Sequence, residues 1–242
     1  MNIFDNHFPS IKKKETDNSH WLSVSDLMAG LMVIFLFIAV SFMISVNQKT
    51  TTLSEVVVIY KETQIALYNE LYNEFKDDLL NWNASIEEDT LTINFWHPEI
   101  LFDKESTQVK EKFKEVLDSF FPRFLKIVYK FDENIEEVRI EGHTNSVWNG
   151  ATRHEDAYFN NMELSQNRAR AVLKYVYENE IKNPIFQLSK MWVEDKTIAI
   201  GYSSSKKILL KNGKEDLERS RRVTFRVITN AETQLKKILE VL

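Results

Sequence analysis

Residues 27–46 read LMAGLMVIFLFIAVSFMISV, a run of 20 residues without a charged side chain. At about 1.5 Å per residue the run forms a helix of roughly 30 Å, the thickness of a bilayer core. A signal peptide would have a shorter apolar core followed by small residues, whereas NQKTTT follows here. A buried helix of a soluble domain is rarely as long and as apolar. The run therefore predicts a retained transmembrane helix, drawn at residues 21–46, with Trp21 at the cytoplasmic interface.

The flanking charges indicate the orientation of this helix. Lys12, Lys13 and Lys14 precede it, whereas only Lys49 follows closely. Because positive residues favour the cytoplasmic side of a membrane, we expect a cytoplasmic N-terminus. Everything after the helix is then expected on the periplasmic side of a bacterial inner membrane.

One acidic residue, Asp26, lies at the cytoplasmic mouth of the helix, and two interpretations of it are open. The sequence SVSD, which begins at Ser23, fits a capping box, in which the acid only stabilises a helix N-terminus. Alternatively, a carboxyl group in or beside hydrocarbon is energetically costly and marks an ion path, where it takes up and releases a proton. Ala29 and Gly30 follow one turn later and would let another helix approach closely.

The segment after the apolar run predicts a helical stalk. Residues 53–80 contain neither Pro nor Gly. Spacings of four and three alternate, as in a coiled-coil seam, at Leu53, Val57, Tyr60, Gln64, Leu67 and Leu71. The seam predicts a homodimer in which Gln64 helps to fix the register. The alternative is a helix that packs on its own globular domain.

After Trp82 the periodicity changes to that of a mixed domain. Strands are predicted at 91–95, 138–142, 196–201 and 222–228, and helices at 106–121 and 162–180. Pro122 is expected to disturb the end of the first of these helices. The order β-α-β-α-β-β indicates an α+β fold with helices on one sheet. The predicted segments are a cytoplasmic tail (1–20), a transmembrane helix (21–46), a stalk (47–83), a globular domain (84–230) and a C-terminal helix (231–242).

Composition and spacing exclude several function classes. The chain has no Cys, which excludes disulfides, Cys-ligated zinc and thiol nucleophiles. A net charge of -5 argues against a nucleic-acid partner. The five His residues lack a metal-binding spacing, and the five Gly residues form no phosphate loop. Because no nucleophile–base pair is recognisable, we expect no enzyme activity, no cofactor and no metal.

The apolar helix and its acid resemble a known family. Residues 23–40, SVSDLMAGLMVIFLFIAV, are similar to the span of MotB-type stator subunits. Residues 26–32 are closer still to the ZorB family, the MotB-like subunits of Zorya anti-phage defence systems. The resemblance implies that Asp26 carries a translocated proton. It also implies a MotA-like membrane partner, ZorA in the defence systems, in a five-to-two arrangement around a homodimer of this chain.

Residues 84–230 resemble the OmpA-like peptidoglycan-binding domain. The resemblance rests on five separated motifs: ILFD (100–103), IEGHTN (140–145), NMELSQNRA (161–169), IGY (200–202) and RSRRV (219–223). It implies a pocket that binds the diaminopimelate of a peptide stem. In that family an Asp after the GHT motif binds the ammonium group, and the Arg of the LSxxRA motif binds the carboxylate.

The residues that match this pocket are Thr144, Asn145, Asn161, Leu164 and Arg168. Asn145 is a departure, because it stands where the family has the Asp. Glu155 or Asp156, in the long loop that follows, is a candidate for the missing charge. From the residues alone, Asn145 fits turn chemistry and Arg168 fits a structural ion pair.

Together these features predict a peptidoglycan-anchored subunit of a proton-driven inner-membrane motor in anti-phage defence. Its expected partners are the MotA-like protein, peptidoglycan, the lipid bilayer and a second copy of the chain. Two alternatives stay open. One is a flagellar stator subunit, and the other is a passive cell-wall tether in which Asp26 only caps a helix.

Overall fold

The structure is a computed structural model that describes residues 18–96, 98–103, 105–150, 153–180 and 187–230. The chain divides into two compact units, Met1–Ser54 and Glu55–Leu242. Most of the expected cytoplasmic tail, with its three lysines, and the expected C-terminal helix at 231–242 lie outside the described residues.

The first element is a long helix, α1 (Asn18–Phe75), which contributes to both units. Its stretch Ser23–Thr51 is apolar and long enough to cross a membrane, with a mean hydropathy of 2.8. The side chains of this stretch are exposed, as an apolar helix surrounded by lipid requires. This confirms the expected N-terminal apolar helix.

The second unit is built on one five-stranded sheet. Its strands are β1 (Ala84–Glu87), β2 (Thr92–Phe95), β3 (Ile135–His143), β4 (Thr197–Gly201) and β5 (Arg222–Thr229). They lie in the order β1-β2-β5-β3-β4, with β3 and β4 parallel and the other neighbours antiparallel. The helices are α2 (Pro98–Leu101), α3 (Glu111–Lys130), α4 (His154–Glu180) and α5 (Gln187–Lys196), with a 3-10 turn at Asp132–Asn134.

The core lies between this sheet and the helices. Most apolar residues of the central strands are buried, among them Ile93, Ile140 and Phe225. They meet the apolar stripe of α3, where the rings of Phe120 and Phe225 lie 5.0 Å apart between centroids. The arrangement confirms the α+β fold that the alternating pattern predicted.

Helix α3 differs from the prediction at Pro122. We expected the proline to disturb the helix end, but the helix continues to Lys130. A proline inside a helix costs about 3 kcal/mol because it removes one hydrogen bond and crowds the preceding turn. The continued helix buries Phe124 and Val128, each of which contributes roughly 1.5–3 kcal/mol. Burial therefore outweighs the cost of the proline.

The C-terminal part of α1 packs on its own domain. Leu67, Leu71 and Phe75 have no exposed surface and belong to the core. The amide of Gln64 donates hydrogen bonds to the backbone oxygens of Glu88 (3.1 Å) and Asp89 (2.8 Å). The expected coiled-coil seam is therefore wrong from Gln64 onward, because these residues already have partners in the same chain. The side chains of Leu53, Val57 and Tyr60 lie outside the described residues.

Two glycines bring α4 close to the sheet. Gly142 and Gly201 face each other in the β3–β4 pair. A Cβ atom on Gly142 would lie 2.1 Å from the backbone oxygen of Ser165, and one on Gly201 would lie 2.4 Å from the backbone nitrogen of Gln166. Helix α4 thus packs directly against the backbone of the two glycines. This close contact sets the distance between α4 and the sheet, and hence the position of Arg168 one turn further along the helix.

Candidate functional site

A cavity of about 420 Å³ lies where β3 ends, beside α4 and the loop that precedes α3. All five pocket residues expected from the sequence line it: Thr144, Asn145, Asn161, Leu164 and Arg168. Other lining residues, which the sequence analysis did not name as pocket residues, include Phe102, Asp103, Glu105, Lys110, Trp148 and Arg221. The cavity thus has cations, acids and aromatic side chains on its walls.

Arg168 is a buried cation that holds a loop. Its Nε donates to the backbone oxygen of Ser106 (2.9 Å) and its Nη2 donates to that of Asp103 (3.1 Å). The guanidinium lies over the ring of Phe102, 4.8 Å from the centroid. Burial, together with the charge of Arg221, lowers the pKa of Arg168 to about 10, so it stays charged at neutral pH. No ion pair joins it to another residue that the structure describes, so the expected helix ion pair is not formed.

Asn145 uses both ends of its amide within the fold. Its Oδ1 accepts a hydrogen bond from the backbone N–H of Val147 (3.1 Å), and its Nδ2 donates to the backbone oxygen of Leu217 (3.2 Å). The first bond closes an Asx turn. Asn161 donates from Nδ2 to the backbone oxygens of Asn145 (3.1 Å) and Val147 (3.3 Å). Both asparagines therefore shape the loop, as turn chemistry predicted for Asn145.

Thr144 and Leu164 complete the wall formed by β3 and α4. The backbone N–H of Thr144 donates to the backbone oxygen of Ser203 (2.9 Å). Its hydroxyl is buried without a hydrogen-bond partner among the described residues. A buried hydroxyl without a hydrogen bond costs free energy, and a ligand that supplied the missing bond would remove that cost. Leu164 is half-buried and adds an apolar surface.

The expectation that Glu155 or Asp156 supplies the negative charge missing at Asn145 is wrong. Asp156 forms an ion pair with Arg153 (2.7 Å), and neither Glu155 nor Asp156 lines the cavity. The acids that do line it are Asp103 and Glu105. The ILFD motif ends in Asp103, so the motif itself was the signal that the loop after α2 belongs to the site.

His143, in the same strand-end motif, has a structural environment. It is buried, its ring stacks on that of Tyr202 at 5.2 Å, and its Nε2 lies 3.3 Å from the carboxylate of Glu141. The hydroxyl of Thr224 donates to the same carboxylate (3.0 Å). Burial lowers the pKa of His143, so the ring is neutral at pH 7.

Asp26 belongs to the first unit and is described by itself. Helix α1 begins at Asn18, so Ser23 and Asp26 lie inside the helix and Ser23 is not its N-cap residue. The capping-box interpretation is therefore wrong. Asp26 stands three residues after the start of the apolar stretch, about 4.5 Å along the axis. A Cβ atom on Gly30, one turn later, would meet no atom within 4 Å, so this face of the helix is open.

Residues 101–221 match the OmpA family. The Zorya protein ZorB of Escherichia coli (strain ATCC 8739) is 51% identical over 230 residues, which cover 95% of this chain and 96% of that protein. A MotB-like protein from Desulfovibrio vulgaris is 21% identical with a TM-score of 0.49 and covers 70% of this chain and 96% of its own. The cell wall anchor of the T6SS from Pseudomonas aeruginosa is 20% identical with a TM-score of 0.44, covering 66% and 96%. The chain therefore belongs to the ZorB family of Zorya proteins and carries a domain of the OmpA family.

Proposed function

We propose that this chain is the peptidoglycan-anchored subunit of a proton-driven inner-membrane rotary motor in anti-phage defence. The observation that carries the proposal is the presence, in one chain, of an acid inside an exposed apolar helix and a charged pocket in an OmpA-family domain. The first feature suits ion transfer, and the second suits attachment to the cell wall.

The pocket supports attachment through the peptide stem. Arg168 and Arg221 present cations, and Asp103 and Glu105 present carboxylates, around a cavity of about 420 Å³. The end of a diaminopimelate side chain carries both a carboxylate and an ammonium group. A guanidinium binds a carboxylate with strong, charge-assisted hydrogen bonds, and a carboxylate binds an ammonium group likewise.

Ion transfer requires a partner. A single helix cannot form a polar path through a bilayer, so neighbouring helices must complete it. A MotA-like protein, ZorA in the defence systems, would surround two copies of this chain in a five-to-two arrangement. Loading and unloading of Asp26 by protons would change its charge and bias its contacts with the partner. The membrane potential supplies about 2.3 kcal/mol per charge per 100 mV for each step.

The homodimer in this proposal uses the N-terminal part of α1. From Gln64 onward the helix is engaged by its own domain, so the contact between copies lies elsewhere. Ala29 and Gly30 are exposed and small, which suits close approach of two helices near the two Asp26 side chains. The lysines before the helix favour a cytoplasmic N-terminus, which leaves the OmpA-family domain in the periplasm.

Two other functions make different predictions. The identity to ZorB favours defence over a flagellar stator, and a rescue of motility with unchanged phage sensitivity would contradict defence. A passive tether would work without a titrating acid. The position of Asp26 inside the helix favours the motor, because no helix end remains for it to cap.

The test of the motor is Asp26→Asn in cells that carry the whole system. We expect loss of plaque reduction with normal membrane levels and normal retention of the protein on purified sacculi. Unchanged plaque reduction would leave only the tether.

The test of anchoring is retention of Arg168→Ala on purified sacculi. We expect retention to fall, because the guanidinium both faces the cavity and holds the 103–106 loop. Arg170→Ala is the matched control, since Arg170 is exposed on the same helix and does not line the cavity. Unchanged retention of Arg168→Ala would remove the assignment of this pocket.

A further inference from the structure

We infer that Glu105 binds the ammonium group of the ligand in this cavity, in place of the acid that OmpA-like domains carry at the position of Asn145. The inference rests on the proposed attachment to the peptide stem and adds which residue of this chain selects a ligand with a free amine. It is carried by the arrangement of the 103–106 loop around Arg168.

The side chain of Asn145 forms hydrogen bonds within the chain. Both polar atoms of its amide are within hydrogen-bond distance of backbone groups, those of Val147 and Leu217. Asn161 in turn holds the backbone oxygen of Asn145. A neutral amide offers no charge to an ammonium group, and the Oδ1 of Asn145 already accepts one hydrogen bond from the turn.

Among the residues that line the cavity, the acids are Asp103 and Glu105. They differ in what they already bind. Asp103 has its carboxylate 2.9 Å from the ammonium group of Lys110, so its charge is offset within the chain. Glu105 forms no hydrogen bond or ion pair with any residue that the structure describes. Among the described residues that line the cavity, the carboxylate without a partner is therefore that of Glu105.

The position of Glu105 is fixed although its side chain is exposed. Its φ of 56° lies in the left-handed region, which a residue with a Cβ atom adopts only under constraint. The constraint is visible on both sides of it. Arg168 donates to the backbone oxygens of Asp103 and Ser106, and the backbone N–H of Ser106 donates to that of Asp103 (3.0 Å). The same guanidinium that faces the cavity thus places the backbone of the acid.

Groups suited to a carboxylate line the same cavity. Arg168 and Arg221 are cations. The Nη2 of Arg221 forms an ion pair with Glu218 (2.8 Å), and its buried Nε has no hydrogen-bond partner among the described residues, whereas Arg168 forms no ion pair with any of them. The hydroxyl of Thr144 is also buried and unpartnered there. Among the described residues, the cavity therefore combines the unpaired guanidinium of Arg168 and a buried hydroxyl with the carboxylate of Glu105, a set that fits a head group bearing both an ammonium and a carboxylate.

The experiment measures binding of two probes to the full-length protein in detergent. One probe is the uncrosslinked tripeptide stem that ends in meso-diaminopimelate, and the other is the same tripeptide with the side-chain amine of that residue acetylated. For the wild type, we expect acetylation to weaken binding about tenfold, which corresponds to about 1.4 kcal/mol. Glu105→Gln should bind the free amine about tenfold more weakly and should no longer distinguish the two probes.

Two further variants separate charge from folding. Glu105→Gly removes the carboxylate and also relieves the left-handed φ, so it should fold as well as the wild type and still lose discrimination. Glu155→Gln changes an acid outside the cavity and should behave as the wild type.

Each outcome has a defined meaning. If Glu105→Gln still distinguishes the probes while Arg168→Ala loses both, the inference is overturned and the attachment stands. If discrimination is lost in Asp103→Asn instead, the assignment to Glu105 is overturned. If the wild type binds neither the tripeptide nor sacculi, the proposed attachment itself fails.

Discussion

Helix α1 contains two parts that present the same kind of side chain to different surroundings. Within Ser23–Thr51, Leu36 is 61% exposed and Phe42 is 71% exposed, whereas Leu71 and Phe75 have no exposed surface. The residue types are alike, so the difference lies in what the chain itself provides. The C-terminal part of the helix finds its partner in its own domain. The N-terminal part has no such partner among the described residues and needs lipid or another protein to cover its apolar side chains.

The largest effect that sharpens this comparison is expected from Phe75→Ala. Its ring lies 5.1 Å from that of Phe120 inside the core, and loss of a buried Phe costs about 3–5 kcal/mol. We expect urea unfolding of the full chain, followed by Trp fluorescence, to shift to much lower concentration. Leu36→Ala, in the exposed part, is the control and should leave the transition in place. A similar shift in both variants would remove the distinction between the two parts.

The globular domain and the apolar part of α1 also differ in the space beside their glycines, which a Gly→Ala substitution would test. Gly142→Ala places a Cβ atom 2.1 Å from the backbone of Ser165, which forces α4 to move and costs about 1–3 kcal/mol. Because α4 carries Arg168, retention on sacculi should fall as well. Gly30→Ala meets nothing within the chain and should leave the unfolding transition unchanged. Normal retention and stability of Gly142→Ala would contradict the close packing described for α4.

The role of Gln64 distinguishes packing on the domain from packing in a dimer. The amide of Gln64 donates to the backbone oxygens of Glu88 and Asp89, and we expect these hydrogen bonds to contribute about 1 kcal/mol to the free energy of unfolding. Gln64→Leu should therefore destabilise the full chain by that amount. In a coiled-coil seam the same substitution would stabilise a dimer. Urea unfolding at two protein concentrations separates the cases, since only a dimer gives a concentration-dependent transition.

A smaller effect is expected from acid. Burial holds the pKa of His143 below its ordinary value of about 6.5, so the unfolded chain binds this proton at a pH where the folded chain does not. The free energy of unfolding should therefore fall as the pH falls through about 6.5. We expect a lower urea midpoint at pH 5 than at pH 7, and a weaker dependence in His143→Asn. If the urea midpoint of His143→Asn depended on pH as strongly as that of the wild type, other titratable groups would be responsible for the effect.

The sequence predicted the parts of the fold that carry a local pattern. The apolar run and the alternation of residue types from Val138 to Gly142 can each be recognised from consecutive residues alone. Each therefore predicts its helix or strand without knowledge of the rest of the fold. Strand β1 (Ala84–Glu87) and helix α5 (Gln187–Lys196) lack such a pattern. The passage of α3 through Pro122 depends on burial against distant strands, which no local rule registers.

The candidate site shows the same division. The motifs placed five residues that do line one cavity, since each motif marks an element end that the sheet order brings together. The environment of Asn145 was not accessible to sequence reasoning, because one of its partners, Leu217, lies 72 residues away. For the same reason the sequence pointed to Glu155 and Asp156, which lie in the first turn of α4, rather than to the loop that Arg168 fixes.

The central claim is that Asp26 carries protons through a path shared with a membrane partner. The most direct measurement is ion flux in proteoliposomes that contain this chain and its MotA-like partner, under proton and sodium gradients applied separately. We predict proton flux with the wild type, none with Asp26→Asn, and partial flux with Asp26→Glu, because only an acid can load and release the proton. Undiminished proton flux through Asp26→Asn would contradict the account.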